Sequence, residues 1–256
     1  MHRIRRAAAG VLGGVALGGL VLTGCQSGGS ASPPSPAQAQ VTTTSPSPGL
    51  SVPGTHRSAT SYRITSPVST VVVISHVGNI TVTGGGGASV SVTQQATYSK
   101  TPPVTTRTLS GKTLTVTYTC PSQLVCAVAY ALQVPRDVAV QAQADAGAVR
   151  LADLAGNVTA KAKVGLINAT GLSGASVSLT TDGGGITASF TAAPGTIAAV
   201  AHVGAIILHV PGQDSYKVSA DARVGHADVG VRQSSSSDHV ITATTDVGAI
   251  KISASA

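Results

Sequence analysis

One motif constrains this chain more than any other feature: a glycine followed two and four residues later by aliphatic side chains, rewritten along most of its length. It stands as "HVGNITV" from His76, "KVGLINA" from Lys163, "HVGAIILHV" from His202, "RVGHADV" from Arg223 and "DVGAIKI" from Asp246. The copies align on Gly78, Gly147, Gly165, Gly184, Gly204, Gly225 and Gly248, and from Gly147 onward they are spaced by 18, 19, 20, 21 and 23 residues. Two positions after each glycine stand Ile80, Val149, Ile167, Ile186, Ile206, Ala227 and Ile250. Two further on stand Val82, Leu151, Ala169, Ala188, Leu208, Val229 and Ile252, with mostly polar residues between. This is the period-two alternation of a strand with one buried face. The glycine supplies a sharp corner or a close backbone approach that a residue with a Cβ resists.

A weaker glycine signal falls midway, at Gly156, Gly174, Gly195 and Gly212, and each opens another alternating stretch. Each unit of ~20 residues reads as turn, strand, turn and strand, a period of solenoid type. Stacking such coils sets equivalent residues ~4.8 Å apart, so the aliphatic columns form a thin continuous core. The expected fold is therefore all-β: a β-solenoid of glycine-cornered coils over residues 144–256, with an N-terminal β cap and first coils over 58–143, where the period breaks. The final "IKISASA" shows no obvious cap, so its edge is expected to be open to another subunit. The residues two before the glycines are Asp145, Lys163, Asp182, His202, Arg223 and Asp246. Stacked in that order they largely alternate acid and base, a structural edge column in which opposite charges on neighbouring strands attract. A binding stripe is the lesser reading, because the signs alternate instead of accumulating.

Composition agrees with strands and turns. Hydrophobic residues make up 42% of 256, yet aromatics are 2%, with no Trp and one Phe, Phe190. Ala, Val, Ile and Leu suit a thin core. All nine acidic residues are Asp, a turn former, and the helix-favouring Glu is absent. The formal charge is +7, but Arg3, Arg5 and Arg6 lie in a leader, and the other 13 basic residues are scattered without aromatics to stack bases. That argues against a nucleic-acid partner.

The leader is "MHRIRRAAAGVLGGVALGGLVLTGC", a basic start and an apolar run from Ala7 to Leu22 that is short for a membrane span. Its end, "LTGC", resembles the lipobox of bacterial lipoproteins. The resemblance implies a signal peptide over 1–24, cleavage after Gly24, and a Cys25 that carries diacylglycerol and palmitate. Several acyl chains give stable anchoring where one does not. The expected location is the cell membrane, lipid-anchored on its extracytoplasmic face. Residues 25–57 then form a disordered stalk: "QSGGSASPPSPAQAQVTTTSPSPGLSVPGTHR" holds six Pro and seven Ser and no hydrophobic period. With Cys25 lipidated, Cys120 and Cys126 remain as a pair in "TCPSQLVCA" outside the reducing cytosol, and a disulfide is predicted over two unbonded thiols. Two thiolates with no nearby His are half a zinc site, so no metal is expected.

With these residues placed, the chain resembles a bacterial family of repetitive β-strand surface domains named putative adhesins, over roughly residues 65–256. The resemblance rests on "YALQVPRDVAVQAQADAGAVRLADLAGNVTAKAKVG" and "LHVPGQDSYKVSADARVGHADV". It implies a β-solenoid and an envelope role in surface interaction or stress response. The family's repeat often places Asp directly after the glycine. Here those positions hold Asn79, Ala148, Leu166, Gly185, Ala205, His226 and Ala249, so nothing tied to an Asp ladder carries over.

Chemistry is sparse. "TGGGGAS", Thr83 to Ser89, lacks the Lys-Ser/Thr end of a phosphate loop and reads as a turn. Asn79, Asn157 and Asn168 open sequons, but in this repeat they read as Asn beside a corner. His76 and His202 share one repeat position, and a metal between His202 and His226 would need residues three positions apart in register. No catalytic residues and no cofactor are expected. The leading reading is a non-catalytic surface module that binds wall polymers or an envelope protein. The alternatives are an accessory protein in envelope stress sensing and a carbohydrate-active β-helix enzyme.

Overall fold

The structure is a computed structural model that describes residues 54–85 and 87–255. The segment read as a leader over 1–24, the Cys25 read as the site of lipidation and most of the segment read as a stalk over 25–57 lie outside the described residues. Among the described residues the chain forms seventeen strands and no helix, so the fold is all-β. The first seven are β1 (His56–Ile64), β2 (Thr70–Val77), β3 (Ile80–Gly85), β4 (Val90–Tyr98), β5 (Val104–Ser110), β6 (Thr113–Thr119) and β7 (Cys126–Pro135). The repeats give β8 (Ala139–Ala146), β9 (Val149–Ala152), β10 (Val158–Val164), β11 (Ile167–Leu172), β12 (Ser176–Gly183), β13 (Ile186–Phe190), β14 (Thr196–Val203) and β15 (Ile206–Pro211). Two long strands end the chain, β16 (Lys217–Gly230) and β17 (Val240–Ser255), each running through its corner glycine without a break.

Two parallel ladders connect successive copies of the repeat. The first runs β6, β2, β8, β10, β12, β14, β17, β16, and the second runs β7, β3, β9, β11, β13, β15, β17, β16. Registers follow the glycine alignment: Ile80 pairs with Val149, Val149 with Ile167, Ile167 with Ile186, Ile186 with Ile206 and Ile206 with Ile250. All six are buried, and the inward residues of both ladders belong to one hydrophobic cluster. The alternation of aliphatic and polar residues selects this register, because a one-residue slip would turn every aliphatic outward.

The strands nevertheless belong to one mixed sheet and not to a closed solenoid. Pairings β1–β4, β4–β7 and β5–β6 are antiparallel; β5–β6 is a hairpin, whereas β1–β4 and β4–β7 each join strands with two others between them in the chain. β1 begins at His56, inside the segment read as stalk. The stacking order also departs from chain order. β17 lies between β14–β15 on one side and β16 on the other, so Ile250–Ser253 of the final "IKISASA" stretch is covered on both sides while Ala254 and Ser255 pair with β15 alone; among the described residues the outermost strand at this end is β16.

Aromatic side chains do enter the core: Phe190 is buried on β13 within the stack, and three tyrosines lie toward its two ends. Tyr118 and Tyr130 are buried on β6 and β7, and Tyr216 just before β16. The Tyr118 hydroxyl donates to the Val77 carbonyl at 2.9 Å and accepts from the Val77 N–H at 2.6 Å; that of Tyr216 donates to the Pro211 carbonyl at 2.9 Å. Burial pushes the Tyr216 phenol up to about 12. Cys120 and Cys126 form a disulfide with their Cα atoms 6.2 Å apart, tying the loop after β6 to the start of β7.

Candidate functional site

The corner of the stack concentrates the unusual residues of this molecule. Gly78, Gly147, Gly165, Gly184, Gly204, Gly248 and Gly225 stack in that order, with φ between +133° and +156°. A Cβ on any of the last six would meet the carbonyl oxygen of the preceding glycine, so close approach and backbone conformation both demand glycine. From Gly78 to Gly204 each glycine N–H donates to the carbonyl of the residue before the next glycine, as from Gly147 to Val164 (3.0 Å), Gly184 to Val203 (2.9 Å) and Gly204 to Val247 (2.9 Å). Behind the corner the position three before the glycine is always small: Ser75, Ala144, Ala162, Thr181, Ala201, Thr245 and Ala222 in stacking order. Ser75, Thr181 and Thr245 are buried; the Thr181 and Thr245 hydroxyls donate to the carbonyls of Gly165 and Gly204, and that of Ser75 donates to the Val128 carbonyl at 2.9 Å, with the Gly78 carbonyl at 3.3 Å. The sequence reading missed this column, although its signal was the unvarying small side chain.

Outside the corner, the residues directly before the glycines are Val77, Ala146, Val164, Gly183, Val203, Val247 and Val224. The five valines are between 46% and 66% exposed, and Leu166, next to Gly165, is 60% exposed. At ~4.8 Å per strand, the seven positions make an apolar ridge about 29 Å long.

Alongside the ridge runs the charge column. The displacement of β17 inserts Asp246 between His202 and Arg223, and the register of β2 with β8 adds His76 at the other end. The column therefore reads His76, Asp145, Lys163, Asp182, His202, Asp246, Arg223, with base and acid alternating at every step. The chain order expected from the sequence left Arg223 beside His202; the structure separates them. His76 Nδ1 donates to Asp145 Oδ2 at 2.8 Å and Lys163 Nζ to Asp145 Oδ1 at 2.9 Å. His202 Nδ1 donates to Asp246 Oδ2 at 2.8 Å, with Asp182 3.8 Å from its Nε2, and Arg223 lies 3.3 Å from Asp246. The hydrogen bond from His76, then that from Lys163, holds the Asp145 carboxyl below the ordinary carboxylate range. The hydrogen bond between His202 and Asp246 raises the imidazole and lowers the carboxyl.

Among the described residues no three His, Cys or Asp side chains gather to hold a metal. A concavity of about 310 Å³ beside the glycine-rich turn is lined by Arg63, Thr83, Ser89, Ser91 and Gln133, with no carboxylate, imidazole or thiol to move a proton. His226 lies directly after Gly225, opposite Ala249, and shares no position with His202. Asn79 accepts from the Ala148 N–H (2.9 Å) and Asn157 from the Ser176 N–H (3.2 Å), so both side chains serve the neighbouring coil.

No protein-family model matches this chain, and comparison with curated proteins gives no match. Solved structures are similar at low identity. A "putative cell adhesion protein" from Clostridium sporogenes is 12% identical, with TM-score 0.40, covering 78% of this chain and 100% of its own. A "putative adhesin" from Bacteroides fragilis is 13% identical, with TM-score 0.34 and coverages of 77% and 97%. Another from Parabacteroides merdae is 15% identical, with TM-score 0.32 and coverages of 76% and 95%. All three carry an adhesion name.

Proposed function

We propose that this chain is a non-catalytic binding protein, anchored through Cys25 on the extracytoplasmic face of the cell membrane. It presents its two parallel ladders as an open β-solenoid. The reading is carried by one observation: of the nine large hydrophobic residues exposed among the described residues, Val77, Val164, Leu166, Val203, Val224 and Val247 line a single corner. Apolar side chains scattered singly need no explanation, but an apolar row along one edge marks an interaction surface. The column beside it alternates base and acid and accumulates no single sign of charge, so the ridge selects its partner by apolar contact. That favours an envelope protein over a hydroxyl-rich wall polymer, and it is adhesion in the general sense that the family resemblance implies.

The test is co-sedimentation of the full chain with isolated cell envelopes, with and without protease treatment of the envelopes, while the supernatant is assayed for released sugars. Saturable binding is expected, lost after protease treatment and weakened at least tenfold by combining Val164→Ser, Val203→Ser and Val247→Ser. Binding that ignores the serine variant would remove the ridge from the account, and sugar release would overturn the non-catalytic reading.

A further inference from the structure

The uncovered side of β16 carries an inference that does not rest on the valine ridge. β16 pairs with β17 alone, and among the described residues no strand lies beyond it. The loop leading back to β17 closes that side only at Tyr216, whose N–H donates to the Arg232 carbonyl (2.9 Å) and whose carbonyl accepts from the Ser234 N–H (3.0 Å). From Val218 to Gly230 the side is uncovered. Positions that face the core in earlier coils are incompletely covered here: Val218, Ala220, Ala222 and Val229 are half-buried and Ala227 is exposed. Their partners on β17, Ile241, Ala243, Thr245, Ile250 and Ile252, are all buried. The backbone is poised as well. At each earlier step the corner glycine and the residue two beyond it donate forward to the next coil, as Gly184 does to Val203 and Ile186 to Ala205. The equivalent N–H groups on β16 belong to Gly225 and Ala227, and they face the empty side. Edge strands are commonly defended by inward charges or proline, and the inward positions of β16 have neither.

We propose that this side of β16 receives one strand of another protein, added in parallel, with the pattern Asp or Glu, any residue, Gly, any residue, aliphatic, any residue, aliphatic. Each element follows from the step it would repeat. The charge column ends on Arg223, 77% exposed, with Asp246 on its inner side, so the next position calls for an acid. A Cβ at the next corner would meet the Gly225 carbonyl as it would at each earlier step, so that position calls for glycine. The aliphatics then cover Ala227 and Val229. Main-chain hydrogen bonds would supply affinity and the alternate side chains specificity. A second copy meeting β16 about a two-fold axis must lay corner on corner. With Val224 of each copy opposite Gly225 of the other, Ala222 faces Ala227 but Asp221 also faces Asp228, twice over, and like charges directly opposite repel.

The experiment titrates the full chain into a fluorescent peptide, "QAQADAGAVRLA", copied from Gln141–Ala152, and follows anisotropy. Saturable binding is expected. It should fall at least tenfold when the peptide carries G147A or D145K. It should vanish for the Ala227→Pro protein, which loses an outward N–H while the β16–β17 ladder keeps its bonds. The charge swap keeps the idea falsifiable should Ala227→Pro fail to fold: Arg223→Asp should reject the original peptide and accept the D145K peptide. No anisotropy change at millimolar peptide, or binding indifferent to both the glycine and the charge swap, would overturn the proposal. So would a dimer of the full chain that Ala227→Pro abolishes, since the edge would then belong to a second copy.

Discussion

The three consecutive glycines in "TTDGGGIT" allow the corner argument to be tested within one turn of chain. Gly184 has φ +142°, and a Cβ there would meet the Gly165 carbonyl oxygen; Gly183 would place its Cβ 3.8 Å from the Lys163 carbonyl oxygen, an ordinary contact. Forcing alanine into the backbone region of Gly184 costs about 1–3 kcal/mol. Relieving the overlap means separating two coils at the corner, where Gly165 N–H donates to Gly183 (2.9 Å), Ile167 N–H to Gly185 (3.0 Å) and the Thr181 hydroxyl to Gly165 (3.2 Å). Weakening two of these at about 1 kcal/mol each brings the total to roughly 3–5 kcal/mol, a large part of the 5–15 kcal/mol that typically holds a folded protein together. Gly183→Ala should stay within about 0.5 kcal/mol of the parent. Urea denaturation followed by far-ultraviolet circular dichroism measures both. Equal midpoints for the two variants, or a loss under about 1 kcal/mol for Gly184→Ala, would refute the claim that the stack needs glycine at its corner.

Other outcomes follow from the same geometry. Reducing Cys120–Cys126 reopens a short loop and should cost about 2 kcal/mol, read as a drop of several degrees in Tm on adding reductant. His202 is raised above its ordinary 6.5, so its contribution is complete below that value and is lost as pH climbs through the higher folded one. Asp145 and Asp246 are lowered from 3.8, so theirs is complete above that value and is lost as pH falls through the lower folded ones. The column should therefore be tightest between about pH 4 and 6.5; Asp246→Asn should flatten the alkaline fall in thermal melts, and a profile that does not change would contradict the pairing with His202. Gly183→Val fills the gap in the ridge between Val164 and Val203, and it should strengthen envelope binding two- to fivefold in co-sedimentation (an estimate from ~0.8 kcal/mol per buried methylene group). Unchanged or weaker binding would count against the ridge as the contact surface.

Much of this molecule is local and so legible in its sequence. Gly-x-aliphatic-x-aliphatic specifies a corner and a half-buried strand wherever it occurs, which fixed the columns of Ile167, Ile186 and Ile206 and the stacking of their glycines. Cys120 and Cys126 were legible because they lie six residues apart, once the third cysteine, Cys25, is read as part of a lipobox. The antiparallel pairings of the first third carry no such period, and two of the three join strands far apart in the chain, so the sequence offered only strands without partners.

The stacking order of the last two strands was decided by tertiary competition. β16 and β17 carry the same local pattern, so either could follow β14. The inward side chains of β17 are Ile241, Ala243, Thr245, Ile250 and Ile252, against Val218, Ala220, Ala222, Ala227 and Val229 on β16. The difference is several methylene-sized groups, worth about 4 kcal/mol when buried. The bulkier strand takes the covered slot. The same choice sets Asp246 between His202 and Arg223, completing the alternation that chain order would have broken. It leaves the alanine-rich strand at the edge, with its corner glycine and its arginine facing outward.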